Sequence, residues 1–198
     1  MREAAAGPDG RLRCPWSLGS AEYLSYHDAE WGRPVRDDIG VFERICLEGF
    51  QSGLSWLIIL RKRENFRAAF AGFDPVTVAE FGPADVTRLL ADTGIVRNRA
   101  KIEATINNAR AALGLPAGLA ATVWSYAPSQ DGAAGEDVAP QTLDDVPAWT
   151  PASKALSAEL RRAGFRFTGP VTVYATMQAC GVVDDHLAGC YLRRADRG

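Results

Sequence analysis

The strongest hydrophobic pattern in the chain lies within residues 41–70. On a wheel of 3.6 residues per turn, one helix face is formed by Val41, Phe42, Ile45, Cys46 and Gly49. Glu48 falls at the edge of that apolar face. We predict a helix that is interrupted at Gly49 and Gly53, and a second apolar segment at residues 55–60. A break between two apolar helices is typical of a pocket wall.

Two interpretations of Glu48 follow from this wheel. Its carboxylate can pair with Arg44 one turn earlier, a surface arrangement that stabilises a helix by only about 0.3–0.5 kcal/mol. Alternatively, it faces inward and lines a pocket beside Trp56. The wheel alone leaves both arrangements open.

Shorter helical signals follow this central stretch. Asp74 is an N-cap residue with Pro75 at the first helical position, and Pro83 begins a second short helix. Gly94 then separates that helix from another, which is marked by apolar residues at steps of three and four, namely Ile102, Ile106, Ala109 and Leu113. We therefore predict a helical hairpin at about residues 83–113.

The remaining part of the chain adds two helices. One amphipathic helix has Ser153 as a candidate cap and Gly164 as its end, and another begins at Pro170. Because no segment alternates long enough to require a sheet, the predicted fold is all-α. We predict a loose leader at residues 1–13, one domain or two small lobes at 14–192 with a surface loop at 127–151, and a tail at 193–198.

Composition narrows the class of protein without identifying it. The chain has 198 residues, of which 47% are hydrophobic, and this suffices for a full core. A formal charge of −2 argues against binding nucleic acid through net charge, although it permits a local basic patch. No apolar run reaches the length of a membrane span, and the first ten residues lack the apolar centre of a secretion signal. We expect a cytoplasmic monomer without membrane contact.

The two histidines of the chain each have a cysteine nearby. Cys14 precedes His27 by 13 positions, and His186 precedes Cys190 by four, which is one face of a helical turn. Together these side chains offer a closed Cys2His2 set for a structural Zn²⁺ that joins the two ends of the chain. Because the spacing is not that of a standard zinc finger, two unrelated histidines and buried thiols remain an alternative.

The turn of the predicted hairpin is both apolar and basic. It contains Gly94, Val96, Arg97, Arg99 and Lys101. This pattern resembles the helix-hairpin-helix, which binds a DNA backbone through exposed amides at a helix N-terminus and nearby basic side chains. An ordinary helical hairpin with solvated arginines is equally compatible with it.

Aromatic residues are dense near the N-terminus. Four of them lie within sixteen residues, namely Trp16, Tyr23, Tyr26 and Trp31. They can be plain core residues, or they can line a slot that stacks a flat ligand.

Taken together, several blocks resemble the DNA-3-methyladenine glycosylase I family. They are CPW from residue 14, YHDAEWG from 26, FERICLEGFQSGLSW from 42, GIVRNRAKI from 94 and TMQACGVVDDHLAGC from 176. The resemblance covers about residues 14–190 and keeps the same order.

This resemblance implies an all-helical helix-hairpin-helix fold, removal of 3-methyladenine from alkylated double-stranded DNA, and a site at the bacterial nucleoid. It implies that a structural Zn²⁺ is held by Cys14, His27, His186 and Cys190. Glu48 would be the catalytic carboxylate that recognises the base, in a pocket formed with Tyr26, Trp56 and Trp16. The expected DNA contacts are Gly53, Leu54, Gly94, Val96, Arg97, Arg99 and Lys101.

The chain departs from the wider superfamily in one respect. Many members use an aspartate after the hairpin, whereas residues 102–113 contain none. Because the alkylated base already carries a positive charge, it leaves without protonation by a general acid. Two alternatives remain: a non-enzymatic zinc-containing helix-hairpin-helix protein that binds DNA, and a hydrolase whose zinc activates water, which requires an open coordination position.

Overall fold

The computed structural model describes residues 3–128 and 139–193, and this part of the chain is mostly helical. Its α-helices are α1 (Ala21–Ala29), α2 (Asp38–Gln51), α3 (Trp56–Ala69), α4 (Pro75–Ala79), α5 (Pro83–Ala91), α6 (Arg99–Leu113), α7 (Leu119–Trp124), α8 (Pro151–Arg162) and α9 (Pro170–Ala179). Two 3-10 turns (Pro15–Gly19 and Ala71–Phe73) and two strands, β1 (Ala5–Ala6) and β2 (Leu12–Arg13), are also present. The prediction of a mainly helical fold is confirmed.

Parts of three predicted segments lie outside the described residues. They are residues 1–2 of the leader, 129–138 of the loop predicted at 127–151, and 194–198 of the tail. Residues 139–150 lead to α8 without a helix of their own. Within the described ranges, no helix combines the length and the apolar character that crossing a bilayer requires.

Residues 5–13 form an antiparallel hairpin, which replaces the loose leader expected from the sequence. Ala5 pairs with Arg13 in the strand register, and the turn is closed by the N–H of Gly7 donating to the Arg11 carbonyl (2.9 Å). Gly10 has a φ of 81°, in the left-handed region that favours glycine. Pro8, Asp9 and Gly10 form a turn signal of this type. That signal identifies the hairpin better than the small, polar composition from which the leader was inferred.

Helix α2 lies at the centre of the core. It packs against α3, α6, α7 and α9, and it buries Val41, Phe42, Ile45, Leu47 and Phe50. The helix continues through Gly49 to Gln51, so the predicted interruption at Gly49 is wrong. One interior glycine costs a helix about 1 kcal/mol, less than the roughly 1.5–3 kcal/mol that burial of a side chain such as Phe50 contributes. Only Gly53, with a φ of 80°, lies in the following turn.

Capping residues account for several helix starts. Asp74 accepts backbone N–H groups from the first turn of α4, and α5 begins at Pro83, as predicted. The α8 helix begins at Pro151 and not after Ser153, because Thr150 is the N-cap and Ser153 occupies the third helical position of a capping box. A proline at the first helical position is consistent with this earlier start.

The predicted helical hairpin is present as α5, a turn at residues 92–98, and α6. Asn98 caps α6 by accepting the N–H of Lys101 (3.1 Å). The Gly94 carbonyl accepts from Lys62 Nζ (3.2 Å), and the Gly94 N–H donates to Asp92 Oδ1 (2.7 Å). The Gly94 amide is therefore bonded within the protein, whereas the sequence predicted an exposed group.

Lys101 is buried, with 8% of its surface exposed. Its Nζ donates to the carbonyls of Phe50 (2.8 Å) and Ser52 (2.6 Å) at the C-terminal end of α2. Carbonyls at this end of a helix lack partners in the helix and carry partial negative charge. Lys101 therefore joins α6 to the end of α2, which contradicts the expectation that its side chain contacts DNA.

This arrangement predicts a stability role for Lys101. In Lys101→Met both hydrogen bonds are lost, and the free energy of unfolding should fall by about 1.5–3 kcal/mol, the range for a hydrogen bond to a charged group. The control is Arg97→Met, which changes an exposed side chain of the turn before α6. It should shift the free energy of unfolding by less than about 0.5 kcal/mol. Urea unfolding of both variants measures the difference, and equal effects would contradict this role.

Candidate active site and metal cluster

A cavity of about 430 Å³ opens beside α2. Most of its aromatic lining comes from the N-terminal side, and the remaining walls come from the segment before α8, from α9 and from the loop after α9. Its lining residues are Trp16, Tyr23, Tyr26, Trp31, Glu48, Gln51, Trp56, Leu143, Val146, Ala175, Gln178 and Asp185. A flat aromatic molecule can enter such a cavity and stack on its wall.

Glu48 faces this cavity from α2. Only 7% of its surface is exposed, and no described residue forms a hydrogen bond or ion pair with its carboxyl group. Arg44, the partner in the surface interpretation, donates instead to the Gly40 carbonyl (3.1 Å). The inward interpretation of Glu48 is therefore the one that the structure adopts.

Burial without a nearby cation changes the acidity of this carboxyl. Desolvation raises the pKa of Glu48 from 4.5 to about 8. The pKa of the neighbouring Tyr26 is also raised, first by burial and then by the negative charge of Glu48. The empty cavity therefore favours a protonated Glu48 at neutral pH, and a bound cation would favour its ionised form.

The predicted pocket aromatics all line the cavity. The rings of Tyr26 and Trp56 lie 5.5 Å apart and are tilted by 50°, so they form adjacent parts of one wall and leave no slot between them. The ring of Trp16 extends this wall, and its centroid lies 6.4 Å from that of the Tyr26 ring. The indole Nε1 of Trp56 is buried and has no hydrogen-bond partner among the described residues. Such a donor suits a ligand acceptor.

Three residues of the opposite wall were not identified from the sequence as site residues. Ala175 and Gln178 lie on α9, and Asp185 follows that helix. Asp185 accepts hydrogen bonds from Gln178 Nε2 and from the Tyr174 hydroxyl, both at 2.6 Å. Gln178 and Asp185 belong to a sequence block that carries the family resemblance, but nothing in the local pattern indicates that they approach α2.

The four predicted metal ligands meet in one buried cluster. The side-chain donor atoms of Cys14, His27, His186 and Cys190 all lie within 4.8 Å of one another. The Cys190 Sγ lies 3.5 Å from His27 Nε2 and 3.5 Å from His186 Nδ1, and Cys14 Sγ lies 3.8 Å from His186 Nδ1. Two thiols and two imidazoles are a donor set that suits tetrahedral Zn²⁺.

The His186–Cys190 segment is a turn and not the helix implied by its spacing. The Cys190 N–H donates to the Leu187 carbonyl (2.8 Å), which folds the segment back on itself. The cluster therefore joins the N-terminal residues to the loop after α9, and not to a last helix. Trp31 connects the cluster to the cavity, since its ring contacts His186 (4.7 Å) and lines the cavity wall.

The predicted DNA-contacting residues fall into two turns. Leu54 is 37% exposed beside Gly53 in the turn between α2 and α3, next to the cavity residues Gln51 and Trp56. In the hairpin, Arg97 in the turn and Arg99 at the start of α6 are exposed, and Val96 packs partly against the core. Arg99 pairs with Glu103 at 3.2 Å.

The sequence and the fold of the chain are both similar to those of known DNA glycosylases. The chain is 47% identical over 181 residues to DNA-3-methyladenine glycosylase 1 of Escherichia coli (strain K12), covering 90% of this chain and 95% of that protein. It matches a crystal structure of 3-methyladenine DNA glycosylase I with a TM-score of 0.84 and 47% identity, over 91% and 99% of the two chains. A 3-methyladenine DNA glycosylase I in complex with 3-methyladenine matches with a TM-score of 0.83 and 34% identity, over 90% and 96%.

The helical fold and the similarity to these proteins place the chain in the class of helical DNA glycosylases. The methyladenine glycosylase family model matches residues 16–194. The chain belongs to that family.

The raised pKa of Glu48 predicts a pH-dependent cost to stability. Because the pKa is about 8 when folded and 4.5 ordinarily, the folded protein binds the proton more tightly, and stability should fall between these pH values by about 1.4 kcal/mol per pH unit. Glu48→Gln cannot ionise, so its advantage over the wild type should grow from pH 5 to pH 8 and then level off.

Urea unfolding at pH 5, 6.5, 8 and 9 measures this difference. The control is Glu64→Gln, which removes an exposed carboxylate on α3 and corrects for the change in net charge. A stability difference between Glu48→Gln and wild type that stays constant from pH 5 to 8 would contradict the shifted pKa.

Proposed function

We propose that the protein is a DNA-3-methyladenine glycosylase, which hydrolyses the N-glycosidic bond of 3-methyladenine in alkylated double-stranded DNA and releases the free base. The observation that carries this proposal is Glu48, a buried acid in an aromatic cavity with no partner among the residues that the structure describes. Membership of the methyladenine glycosylase family supports the same conclusion. So does the likeness to a structure that holds 3-methyladenine.

Binding of the charged base is the main task of the site. The ring of 3-methyladenine in DNA carries a positive charge, so the base is a good leaving group and needs no general acid. Glu48 accepts hydrogen bonds from the N–H groups of the base, and the ionised carboxylate attracts the cation. The bond between C1′ and the base breaks, and its electron pair neutralises the ring of the departing base. Water adds to C1′ and releases a proton to solvent.

The protonation of Glu48 is coupled to this binding. In the empty cavity, the raised pKa of Glu48 favours the neutral acid at neutral pH. A cationic purine at hydrogen-bond distance lowers that pKa, so the carboxyl group loses its proton as the damaged base enters. A neutral adenine brings no charge and leaves the acid protonated.

We infer that the damaged nucleotide leaves the duplex to reach this cavity. Extrusion costs a few kcal/mol of unstacking and pairing, and damage lowers that cost. The exposed Leu54, next to Gly53 in the turn beside the cavity mouth, supplies an apolar group that fills the gap in the duplex. Trp56 and Tyr26 offer the stacking surface for the extruded base.

The hairpin between α5 and α6 binds the DNA backbone in this proposal. Arg97 and Arg99 are exposed at the start of α6, where phosphate contacts gain from both the side-chain charges and the helix N-terminus. Lys101 has no part in this contact, because its ammonium bonds the end of α2. The interaction is independent of base sequence, as a scanning repair enzyme requires.

We also propose that the cysteine and histidine cluster binds a structural Zn²⁺. Four protein ligands fill a tetrahedral site, which leaves no position for a reactive water. The cluster is buried, and its histidines contact the rings of Trp16 and Trp31, which line the cavity. Its role is to hold the residues near Cys14 and Cys190 together, and thereby to fix the aromatic wall.

The alternative function is that of a non-enzymatic zinc protein that binds DNA through the hairpin. That reading accounts for Arg97, Arg99 and the metal cluster, but it gives no reason for an acid without a partner in an aromatic cavity. A pure binder has no use for a group that destabilises the empty fold. Release of free base from methylated DNA separates the two functions.

Glu48→Gln should abolish most excision of 3-methyladenine. The variant keeps the size and hydrogen-bonding capacity of the side chain but cannot carry negative charge, so it loses the attraction that selects a cation. The measurement is the rate of free-base release from methylated duplex DNA under single-turnover conditions, with duplex affinity as a check of binding. We expect a rate loss of at least about 100-fold, comparable to removal of one preorganised stabilising group.

The matched control is Glu43→Gln on the same helix. Glu43 is also buried, but it pairs with Arg67 (2.7 Å) and does not line the cavity. Its variant should lose stability and keep excision at temperatures well below its melting point. Wild-type excision by Glu48→Gln would remove Glu48 from the mechanism, and absence of excision by the wild type would favour the non-enzymatic alternative.

Cys190→Ser should release the metal. A serine oxygen is a poor Zn²⁺ ligand, so the purified variant should hold much less than one zinc per chain and melt at a lower temperature. Cys180→Ser is the control, since Cys180 is equally buried but lies outside the cluster. Elemental analysis and thermal melting decide the point, and a wild-type protein without zinc would overturn the metal centre.

A further inference from the structure

Asp28 contacts the ring of His27, one of the two histidines of the cluster, at the nitrogen that does not face the other cluster residues. Asp28 Oδ1 lies 2.9 Å from His27 Nδ1, while the other ring nitrogen of His27, Nε2, faces the cluster at 3.5 Å from Cys190 Sγ. A carboxylate accepts and does not donate, so the hydrogen bond requires the proton on Nδ1. That tautomer leaves the Nε2 lone pair directed at the cluster, as a metal ligand requires.

Asp28 is itself fixed by a buried arginine. Arg13, 3% exposed, donates through Nε to both carboxylate oxygens (2.9 and 3.1 Å) and through Nη2 to Oδ2 (2.8 Å). On its other side, the same guanidinium donates to Asp9 at 2.5 and 2.9 Å. The planar guanidinium therefore holds two carboxylates at fixed angles.

The N-terminal hairpin brings these groups to the cluster. Asp9 lies in its turn and Arg13 in β2, directly before the ligand Cys14. The hairpin also touches the far end of the chain: the Leu12 carbonyl accepts the N–H of Tyr191 (3.0 Å), directly after the ligand Cys190. The guanidinium of Arg13 lies 4.9 Å from the Tyr191 ring. Residues 3–13 precede the segment that the family model matches.

We propose that Asp28 is a positioning residue of the metal site, and that the hairpin serves the site by fixing Asp28 through Arg13 and Asp9. The inference rests on the proposed zinc centre. Partners that orient a metal-bound histidine contribute to metal affinity, and their removal typically weakens binding by about 10- to 100-fold. The hairpin thus stabilises the cluster without contributing a ligand, and we expect it to slow the loss of metal.

Asp184 provides a matched comparison within the same cluster. It lies two residues before the ligand His186 and pairs with the buried Arg193 (3.6 Å), so it resembles Asp28 in sequence context and in partner. Its carboxylate accepts from the backbone N–H of His186 (3.2 Å), whereas that of Asp28 contacts a ring nitrogen of His27 (2.9 Å). A merely structural ion pair near the metal would make the two aspartates equivalent.

The test compares Asp28→Asn, Asp184→Asn and Asp9→Asn as zinc-loaded proteins. Competition with a coloured chelator gives both the affinity for Zn²⁺ and the rate of metal loss. ¹⁵N NMR of the histidine side chains reports whether His27 keeps its Nδ1 proton in a hydrogen bond. We expect about 10- to 100-fold weaker zinc binding and an altered His27 signal in Asp28→Asn. Asp184→Asn should keep the wild-type His27 signal, and Asp9→Asn should lose zinc faster than wild type by a smaller factor.

The outcomes separate this inference from the zinc centre itself. A wild-type protein without bound zinc overturns the metal centre and the inference together. A zinc-loaded wild type with unchanged zinc loss and an unchanged His27 signal in Asp28→Asn overturns the positioning role alone, as do equal effects of Asp28→Asn and Asp184→Asn. If Asp28→Asn fails to fold, Asp9→Asn decides, because its side chain is about half exposed. A wild-type rate of zinc loss in that variant overturns the proposal.

Discussion

The burial of one carboxyl group without a counter-charge is the constraint on which the rest of the structure depends. Glu48 destabilises the empty protein once it ionises, because no described cation offsets its desolvation. It remains buried because α2 is held on several sides by α3, α6, α7 and α9, and because its other faces bury large apolar residues. The burial of apolar side chains in the core therefore offsets the free energy that the desolvation of Glu48 costs.

The cysteine and histidine cluster supports the aromatic wall of the cavity, because the rings of Trp16 and Trp31 contact its histidines and line the cavity. Four aromatic lining residues, Trp16, Tyr23, Tyr26 and Trp31, come from a short N-terminal stretch that on its own contributes little to the main core. The second hydrophobic cluster around Cys14, Leu187 and Cys190 joins this stretch to the end of the described chain. A long loop closed by ligands at both ends restricts the unfolded chain, and a structural metal adds its binding free energy to folding.

Local signals predicted the parts of the molecule that local physics determines. Asp74 and Pro83 mark helix starts because capping acts over a few residues, and the hairpin at 83–113 follows from periodicity. Tertiary contacts decided the rest. The wheel could not choose the direction of Glu48, nor reveal that Lys101 turns toward α2 or that Asp185 reaches the cavity. The turn signal at Pro8–Gly10 indicates the hairpin at residues 5–13, but it does not show where the hairpin docks, because Arg13 bonds Asp28 on α1.

In the proposed function, the desolvation of Glu48 lets the cavity discriminate between purines that differ by one methyl group. With a neutral adenine, the acid keeps its proton at neutral pH and the two groups exchange only ordinary hydrogen bonds. With a cationic base, every unit by which the pKa of Glu48 falls below the ambient pH adds about 1.4 kcal/mol to binding that adenine does not receive. A solvent-exposed carboxylate would supply roughly 1 kcal/mol or less, since water screens the pair. The cost to the empty protein and the selectivity for the damaged base therefore have one origin, which is the removal of water from this acid.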